Sequence, residues 1–318
     1  MPSSQKVVRR TLASGEVKEY RYPRGSKAKQ TGPRIIPGSL DDLLESWRRS
    51  PEWADLAPST RTMYAIYLRD LYRLGRTPAA AIRRKDVIAL RNAIAVARGK
   101  GAATGFIRAV SAAYAWGMDN DMAETNPAYR IKPLKRGTLP AWTEQVLAKA
   151  LTELPEAYRR AILLAVHTGQ RRGDLIRLPW TAYDGATIRL VQQKTGAALV
   201  VPVHRELRAE LDAWRREATS VTILTSPRGL PWTAAHFTRE LGKLVGKLGM
   251  GRFTPHGLRK LCAVRLAEAG CSAHQIAAIC GWRSLSMVQH YTQAAAQEEM
   301  ATAAIVRLEK AGKRKLKG

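Results

Sequence analysis

Apolar residues follow two different rhythms along this chain. From residue 38 to 130 they recur every three or four positions, the period of helices that bury one face. Ser39 is placed to cap a helix running to residue 47. Ser59 is placed to cap another running to residue 74, with Tyr64, Tyr67, Leu68 and Leu71 on one stripe. Residues 86–97 and 104–118 supply two more, so the pattern predicts a compact four-helix bundle. The rhythm breaks at 131–139, where Pro133 and Gly137 sit among Lys132, Lys135 and Arg136, and a basic linker is predicted there.

Beyond the break the pattern is mixed. Thr143 is a cap for a helix to residue 154, 156–167 reads as a buried helix, and further helices are predicted at 204–217, 233–248 and 256–269. Ser272 and Gln275 have the spacing of a capping box that opens another. Residues 187–191 and 199–203 are β-rich, and the intervening Lys194-Thr195-Gly196 puts Lys194 near the tip of a hairpin. A short helical turn is predicted at 284–291 and a last helix at 294–310, where Ala301, Ile305 and Leu308 form an apolar stripe before a basic tail. The fold class expected is mainly α with a small antiparallel β-sheet. A helical lobe at 38–130 precedes a mixed α+β lobe at 140–318. Residues 1–37 read as a basic arm, in which 7–12 and 16–22 flank Ala13-Ser14-Gly15 as a short hairpin. An isolated hairpin is marginal in water, so a disordered tail is the competing reading.

Charge changes the picture. The 318 residues carry 53 Lys plus Arg against 26 Asp plus Glu, a net +27. Such a surplus points to a polyanion, and nucleic acid is the usual one. In the helical lobe Arg61, Arg69, Arg84, Lys85 and Arg108 are candidate phosphate contacts, as are Lys132, Lys135 and Arg136 of the linker. A membrane is a poor alternative. Residues 1–10 show no apolar run of a secretory signal, and the apolar stretch 161–166 falls far short of the ~20 residues a span needs. The expected location is the cytoplasm, on the nucleoid. Cys262, Cys271 and Cys280 are few and odd in number, which fits buried small hydrophobes better than disulfides or a zinc knuckle. No metal and no cofactor is expected.

Four pieces of the second lobe carry chemistry together. They are Gly169-Gln170-Arg171-Arg172-Gly173-Asp174-Leu175, Lys194 in its turn, His256-Gly257-Leu258-Arg259, and Gly281-Trp282 followed by Tyr291. Each alone is weak: a Gly-x-Arg turn arises by chance in a basic chain, and Trp282 or His256 alone more often serves packing. As a set they suit attack on a phosphodiester. Arg171 and Arg259 offer forked donors to the non-bridging oxygens. Lys194 is a candidate acid for the leaving oxygen. On a helix His256 shares a face with Arg259, where it can accept a proton or bond a phosphate. Tyr291 is the candidate nucleophile, and Trp282 brings an N–H donor.

The order and spacing of these residues resemble the tyrosine recombinase family, the phage-integrase-like site-specific recombinases. That family's pattern is Gly-x-Arg-x-x-Glu/Asp-Leu, a hairpin Lys, His-x-x-Arg, Gly-His/Trp and a nucleophilic Tyr. Asp174 stands where Glu is commoner, Trp282 where His is commoner, and Cys280 where Leu is usual. The resemblance implies a core DNA-binding domain at 38–130 of SAM-like four-helix type and a catalytic domain at 140–318 of the DNA breaking–rejoining type. It implies Arg171, Lys194, His256, Arg259, Trp282 and Tyr291 as catalytic residues, with Asp174 bracing Arg171. It implies a 3′-phosphotyrosine intermediate, double-stranded DNA with two recombination sites as partner, and a homotetramer on that DNA. The segment after Tyr291 would dock on a neighbouring protomer or on its own lobe. The arm at 1–37 tilts the expectation toward a phage or genomic-island integrase, with an accessory DNA-bending or excision factor as a further candidate partner. The competing readings are a Xer-like chromosome or plasmid resolvase, a DNA-relaxing type IB topoisomerase, a non-catalytic DNA-binding regulator and a chromatin-like structural protein.

Overall fold

The computed structural model describes residues 5–11, 16–23, 35–135, 137, 140–251, 253–286, 288, 301, 305–306 and 308. The chain divides into two compact units, Met1–Gly137 and Thr138–Gly318.

In the first unit, β1 (Gln5–Thr11) pairs antiparallel with β2 (Val17–Pro23), Gln5 opposite Pro23 and Thr11 opposite Val17. The turn at Ala13-Ser14-Gly15 lies outside the described residues. Helix α1 (Leu40–Arg49) follows its capping signal: Ser39 Oγ accepts from the Asp42 amide at 3.2 Å, and Leu40, Leu43, Leu44 and Trp47 are buried. A short helix the periodicity did not reveal, α2 (Pro51–Asp55), starts from a Ser50 cap and sets Trp53 edge-on to Trp47, ring centroids 4.8 Å apart. Ser59 does not cap the next helix. Helix α3 (Pro58–Leu68) begins one residue earlier, because proline suits the first helical position, and it tightens into a 3-10 turn over Arg69–Leu74. Helix α4 (Arg84–Arg98) is capped by Asp86, whose carboxylate accepts from the Arg83 amide at 2.9 Å. Helix α5 (Lys100–Asp119) starts four residues before Thr104 and buries Phe106, Val110 and Tyr114. Ile131 and Leu134, at the start of the predicted linker, pack on this core.

The second unit is built on α7 (Glu156–Thr168), which packs against α11 (Pro255–Glu268). Helices α6 (Glu144–Glu153), α9 (Arg205–Arg216) and α10 (Ala234–Lys247) surround them. One core of Leu, Ile, Val, Trp and Phe residues runs through all five. A four-residue helix, α8 (Arg172–Leu175), follows α7 directly. The hairpin stands where expected: β3 (Thr187–Val191) pairs antiparallel with β4 (Ala198–Pro202), Val191 opposite Ala198. Helix α12 (Ala273–Cys280) opens with the Ser272–Gln275 capping box and leans on β4. The fold class is thus mainly α with small antiparallel sheets. Residues 285, 286 and 288 of the predicted turn are helical, whereas Tyr291, Arg136 and most of 294–310 lie outside the described residues. Ile305 and Leu308 are exposed. No helix among the described residues is long and apolar enough to cross a membrane.

Ile162 is wholly buried at the centre of α7. Ile162→Ala is expected to destabilise the second unit by about 2–5 kcal/mol, the usual cost of such a cavity. A urea unfolding series checks this, and a loss under 1 kcal/mol would contradict the packing.

Candidate active site

Each piece of the predicted constellation is positioned by a local feature of the chain. Helix α7 ends at Gly169, whose φ of +63° is the left-handed cap geometry. The chain turns there and lays Arg171 at the start of α8 in extended conformation. Arg259 sits on the second turn of α11. It is only 1% exposed, a rare degree of burial for arginine. Its Nη1 donates to the Gly169 carbonyl at 2.8 Å, and its guanidinium lies 5.0 Å over the Trp282 ring. That cation–π contact compensates part of the lost hydration. Burial pushes the Arg259 guanidinium down to about 10, with Arg171 adding to the effect, while Cys280, Cys262 and Asp174 act the other way. The group still carries its charge at neutral pH. Its Nη2 is buried and has no hydrogen-bond partner among the described residues.

Lys194 is exposed on the β3–β4 turn. The turn is tied down on both sides. Asp174 Oδ1 accepts from the Gln193 amide at 3.0 Å, Arg177 donates to Gln193 Oε1, and Arg283 Nη2 donates to the Thr195 carbonyl at 2.6 Å. Asp174, expected to brace Arg171, thus holds the lysine turn beside Gln192. Arg171 donates from Nη1 to Oε1 of Gln192, a fully buried residue. Sequence reasoning missed Gln192, since a glutamine entering a turn normally reads as solvated.

His256 opens α11. It keeps an edge open to solvent, yet the atoms packed around it still cost its ring hydration. This desolvation first, then the charges of Lys260, Arg259, Arg171 and Lys194, hold its imidazole below its usual pKa. The fields of three predicted site cations therefore meet at one histidine. Trp282, 8% exposed, follows Gly281, which ends α12 in the left-handed region at φ +65°. The fold brings together Arg171, Lys194, His256, Arg259 and Trp282; Tyr291 lies outside the described residues.

Beneath the arginines, the Cys262 and Cys280 thiols are buried and share a hydrogen bond, which with burial pushes Cys262 up; Cys271 is half-buried. Among the described residues one set with metal-ligand chemistry exists, His167, His204 and Glu206. Its two rings stack 5.1 Å apart, and Glu206 Oε2 lies 4.0 Å and 3.9 Å from their nearer nitrogens. It shares no residue with the arginine site. In the first unit, Arg69, Arg84, Lys85, Arg108, Lys132 and Lys135 are exposed and Arg61 is half-buried. Arg84 also holds the Tyr129 carbonyl at 2.5 Å.

Comparison with known proteins defines the class. Residues 141–298 match the model of the phage integrase family. The tyrosine recombinase XerC of Mycobacterium tuberculosis is 30% identical over 267 residues, 74% of this chain and 88% of that protein. The integrase of Escherichia phage HK022 is 29% identical over 260 residues, 76% of this chain and 72% of that protein. A crystal structure of a lambda integrase dimer bound to a COC′ core site superposes with a TM-score of 0.70 at 23% identity, covering 80% of this chain and 95% of that one. A lambda integrase tetramer bound to a Holliday junction gives 0.66 at 21% identity, covering 89% and 96%. The chain is a DNA-binding enzyme of site-specific recombination. It belongs to the phage integrase family of tyrosine recombinases.

Gly281 gives a direct test of this packing. A Cβ there would stand 2.5 Å from Gln192 Nε2 and 2.6 Å from Leu199 Cδ1, whereas at Gly249, also at φ +66°, it would meet nothing within 4 Å. Gly249→Ala is expected to lose only the left-handed strain, about 1–2 kcal/mol. Gly281→Ala is expected to lose about 1–3 kcal/mol more through overpacking. Equal losses in thermal unfolding would contradict the close approach.

Proposed function

We propose that this chain cleaves and rejoins DNA through a 3′-phosphotyrosine at Tyr291, and that it integrates or excises a mobile element such as a phage genome or genomic island. One observation carries the chemistry: the charges of Arg171, Arg259 and Lys194, from different elements, all reach His256, while the two guanidiniums are anchored on neutral oxygens, the Gln192 amide and the Gly169 carbonyl. A charge cluster of this kind is matched by a phosphodiester.

The tyrosine oxygen attacks phosphorus, the P–O5′ bond breaks, and a 5′-hydroxyl leaves. Arg171 and Arg259 hold the non-bridging oxygens and meet the charge that spreads over them in the transition state. Lys194 protonates the leaving oxygen. His256, held below its usual pKa, is neutral at pH 7 and accepts the tyrosine proton. Trp282 supports Arg259 through its ring face and is relieved of any proton-transfer role, since indole N–H only donates. A 5′-hydroxyl from a partner strand then reverses the step, conserving the bond energy. The basic side chains at Arg61, Arg69, Arg84, Lys85, Arg108, Lys132, Lys135 and Arg136 contact phosphates without reading sequence.

Two DNA sites held by a homotetramer are proposed by analogy with the lambda integrase tetramer, and the exposed Ile305 and Leu308 suit docking on a neighbouring protomer. The proposed workplace is the nucleoid in the cytoplasm, with an accessory bending or excision factor. The β1–β2 arm and the likeness to the phage HK022 integrase favour an integrase. The similarity to XerC supports the second reading, a chromosome or plasmid resolvase with the same chemistry. An attachment-site repeat beside the gene, at a tRNA gene or among phage genes, decides for the integrase.

The test uses a half-site that the full chain selects from random duplexes, nicked so that the cleaved fragment diffuses away. The wild type is expected to leave a denaturation-resistant protein–DNA adduct, and Tyr291→Phe none. Arg171→Ala and Arg259→Ala are each expected to slow it about 10²–10³-fold or more. An undiminished adduct with Tyr291→Phe would end the proposal. At subsaturating DNA the cleavage rate is expected to fall as pH drops, with a midpoint below the usual 6.5 of histidine, because the base is the neutral imidazole. His256→Gln should flatten that limb; a midpoint above 6.5 would contradict the assignment.

A further inference from the structure

We infer that Gln192 is a positioning residue for strand cleavage, aiming Arg171 at the scissile phosphate and tying that aim to the Lys194 turn and to the helix leading into Trp282. The inference rests on the reaction proposed above. Gln192 is 0% exposed, and its amide is saturated. The chemistry of its partners fixes which way round the amide lies. Arginine can only donate, so Arg171 meets the carbonyl oxygen Oε1, which also accepts from Thr195 Oγ1 at 2.9 Å. The Cys280 carbonyl can only accept, so it faces Nε2, at 2.9 Å; Nε2 also donates to Gln170 Oε1 at 2.7 Å.

Gln170 is locked by the same logic. Its Nε2 donates to the carbonyls of Thr168 at 2.9 Å and Ile279 at 2.8 Å, which leaves its Oε1 to accept. Two buried amides therefore form one relay. It joins the turn after α7, the lysine turn, the last residues of α12 and the Arg171 guanidinium. Each N–H of the two buried amides has an acceptor, so neither amide can rotate without stranding the other in a dry interior.

The choice of an amide follows from what Arg171 must do. A carboxylate at this position would pair with the guanidinium and cancel the charge the phosphate needs. An apolar side chain would leave a long, rotamer-rich arginine without an anchor on this side. A neutral acceptor orients the charge and leaves it uncancelled. Because the same Oε1 takes Thr195, the base of the lysine turn and the arginine share one reference point.

The test compares wild type with Gln192→Met, which keeps the buried volume but removes the acceptor. Half-site affinity and melting temperature are measured first, then adduct formation on the nicked half-site. A second substrate carries a neutral methylphosphonate at the scissile linkage, where there is less charge for Arg171 to meet. On the ordinary phosphate, Gln192→Met is expected to retain binding and slow cleavage by about 100-fold, the scale of a small misplacement. On the neutral linkage the deficit is expected to shrink at least about tenfold, which a general loss of packing would not produce. Wild-type cleavage by Gln192→Met, or an equal deficit on both linkages, overturns the inference. If Gln192→Met fails to fold, Gln170→Met cuts the relay one step further away and is expected to give a smaller deficit with the same dependence on linkage; no such dependence overturns the inference. If the wild type itself forms no adduct on its selected half-site, the recombinase reading falls first and this inference with it.

Discussion

Like charges held close in a partly dry place repel, and that constraint organises the second unit. Arg171, Arg259 and Lys194 all act on His256, and Arg259 is almost fully removed from water. The fold meets the cost with neutral groups: the Gly169 carbonyl, the Trp282 ring face and the Gln192 amide. Asp174, whose field reaches Arg259, accepts a hydrogen bond from the Gln193 amide. Charge is thereby oriented and left uncancelled, which is what binding a phosphate at its transition state demands.

The surrounding architecture makes this arrangement durable. Helices α7 and α11 share the main core, so Gly169 and Arg259, on different helices, are fixed relative to each other by packing. The hairpin and the end of α12 meet at Gly281, where a side chain would strike Gln192 and Leu199. Among the described residues, Arg171, Lys194, Arg259 and Trp282 are therefore anchored by elements whose own places are set by buried apolar contacts. This is how a protein holds groups within the narrow tolerance that phosphoryl chemistry requires.

Much of this is legible in the sequence. Periodicity and caps located α1, α4, α7, α9, α10 and α11, and the Lys-Thr-Gly turn located the hairpin, because these signals are local. The order of motifs pointed to Arg171, His256 and Arg259 through the resemblance to the tyrosine recombinases. What was not legible depends on distant contacts. The five residues of α2 are too few to show a period, and its evidence is only Ser50 followed by Pro51. The sequence placed the start of the next helix at Thr104, yet Gly99 alone makes the turn at φ +86° and α5 begins at once at Lys100. Ser59 has the chemistry of a cap, but Pro58 suits the first helical position and starts the helix ahead of it. Gln192 was invisible because only tertiary structure buries it, and the hydrogen bond of Asp174 to the Gln193 amide joins α8 to the hairpin turn, a contact no local signal reports.

The central claim is that the two guanidiniums serve a single linkage. The most direct measurement is a crystal structure of the full chain trapped covalently on its selected half-site. The account predicts Arg171 and Arg259 both within hydrogen-bond distance of non-bridging oxygens on the phosphate joined to Tyr291. Guanidiniums found on different phosphates, or a covalent link through another residue, would contradict it.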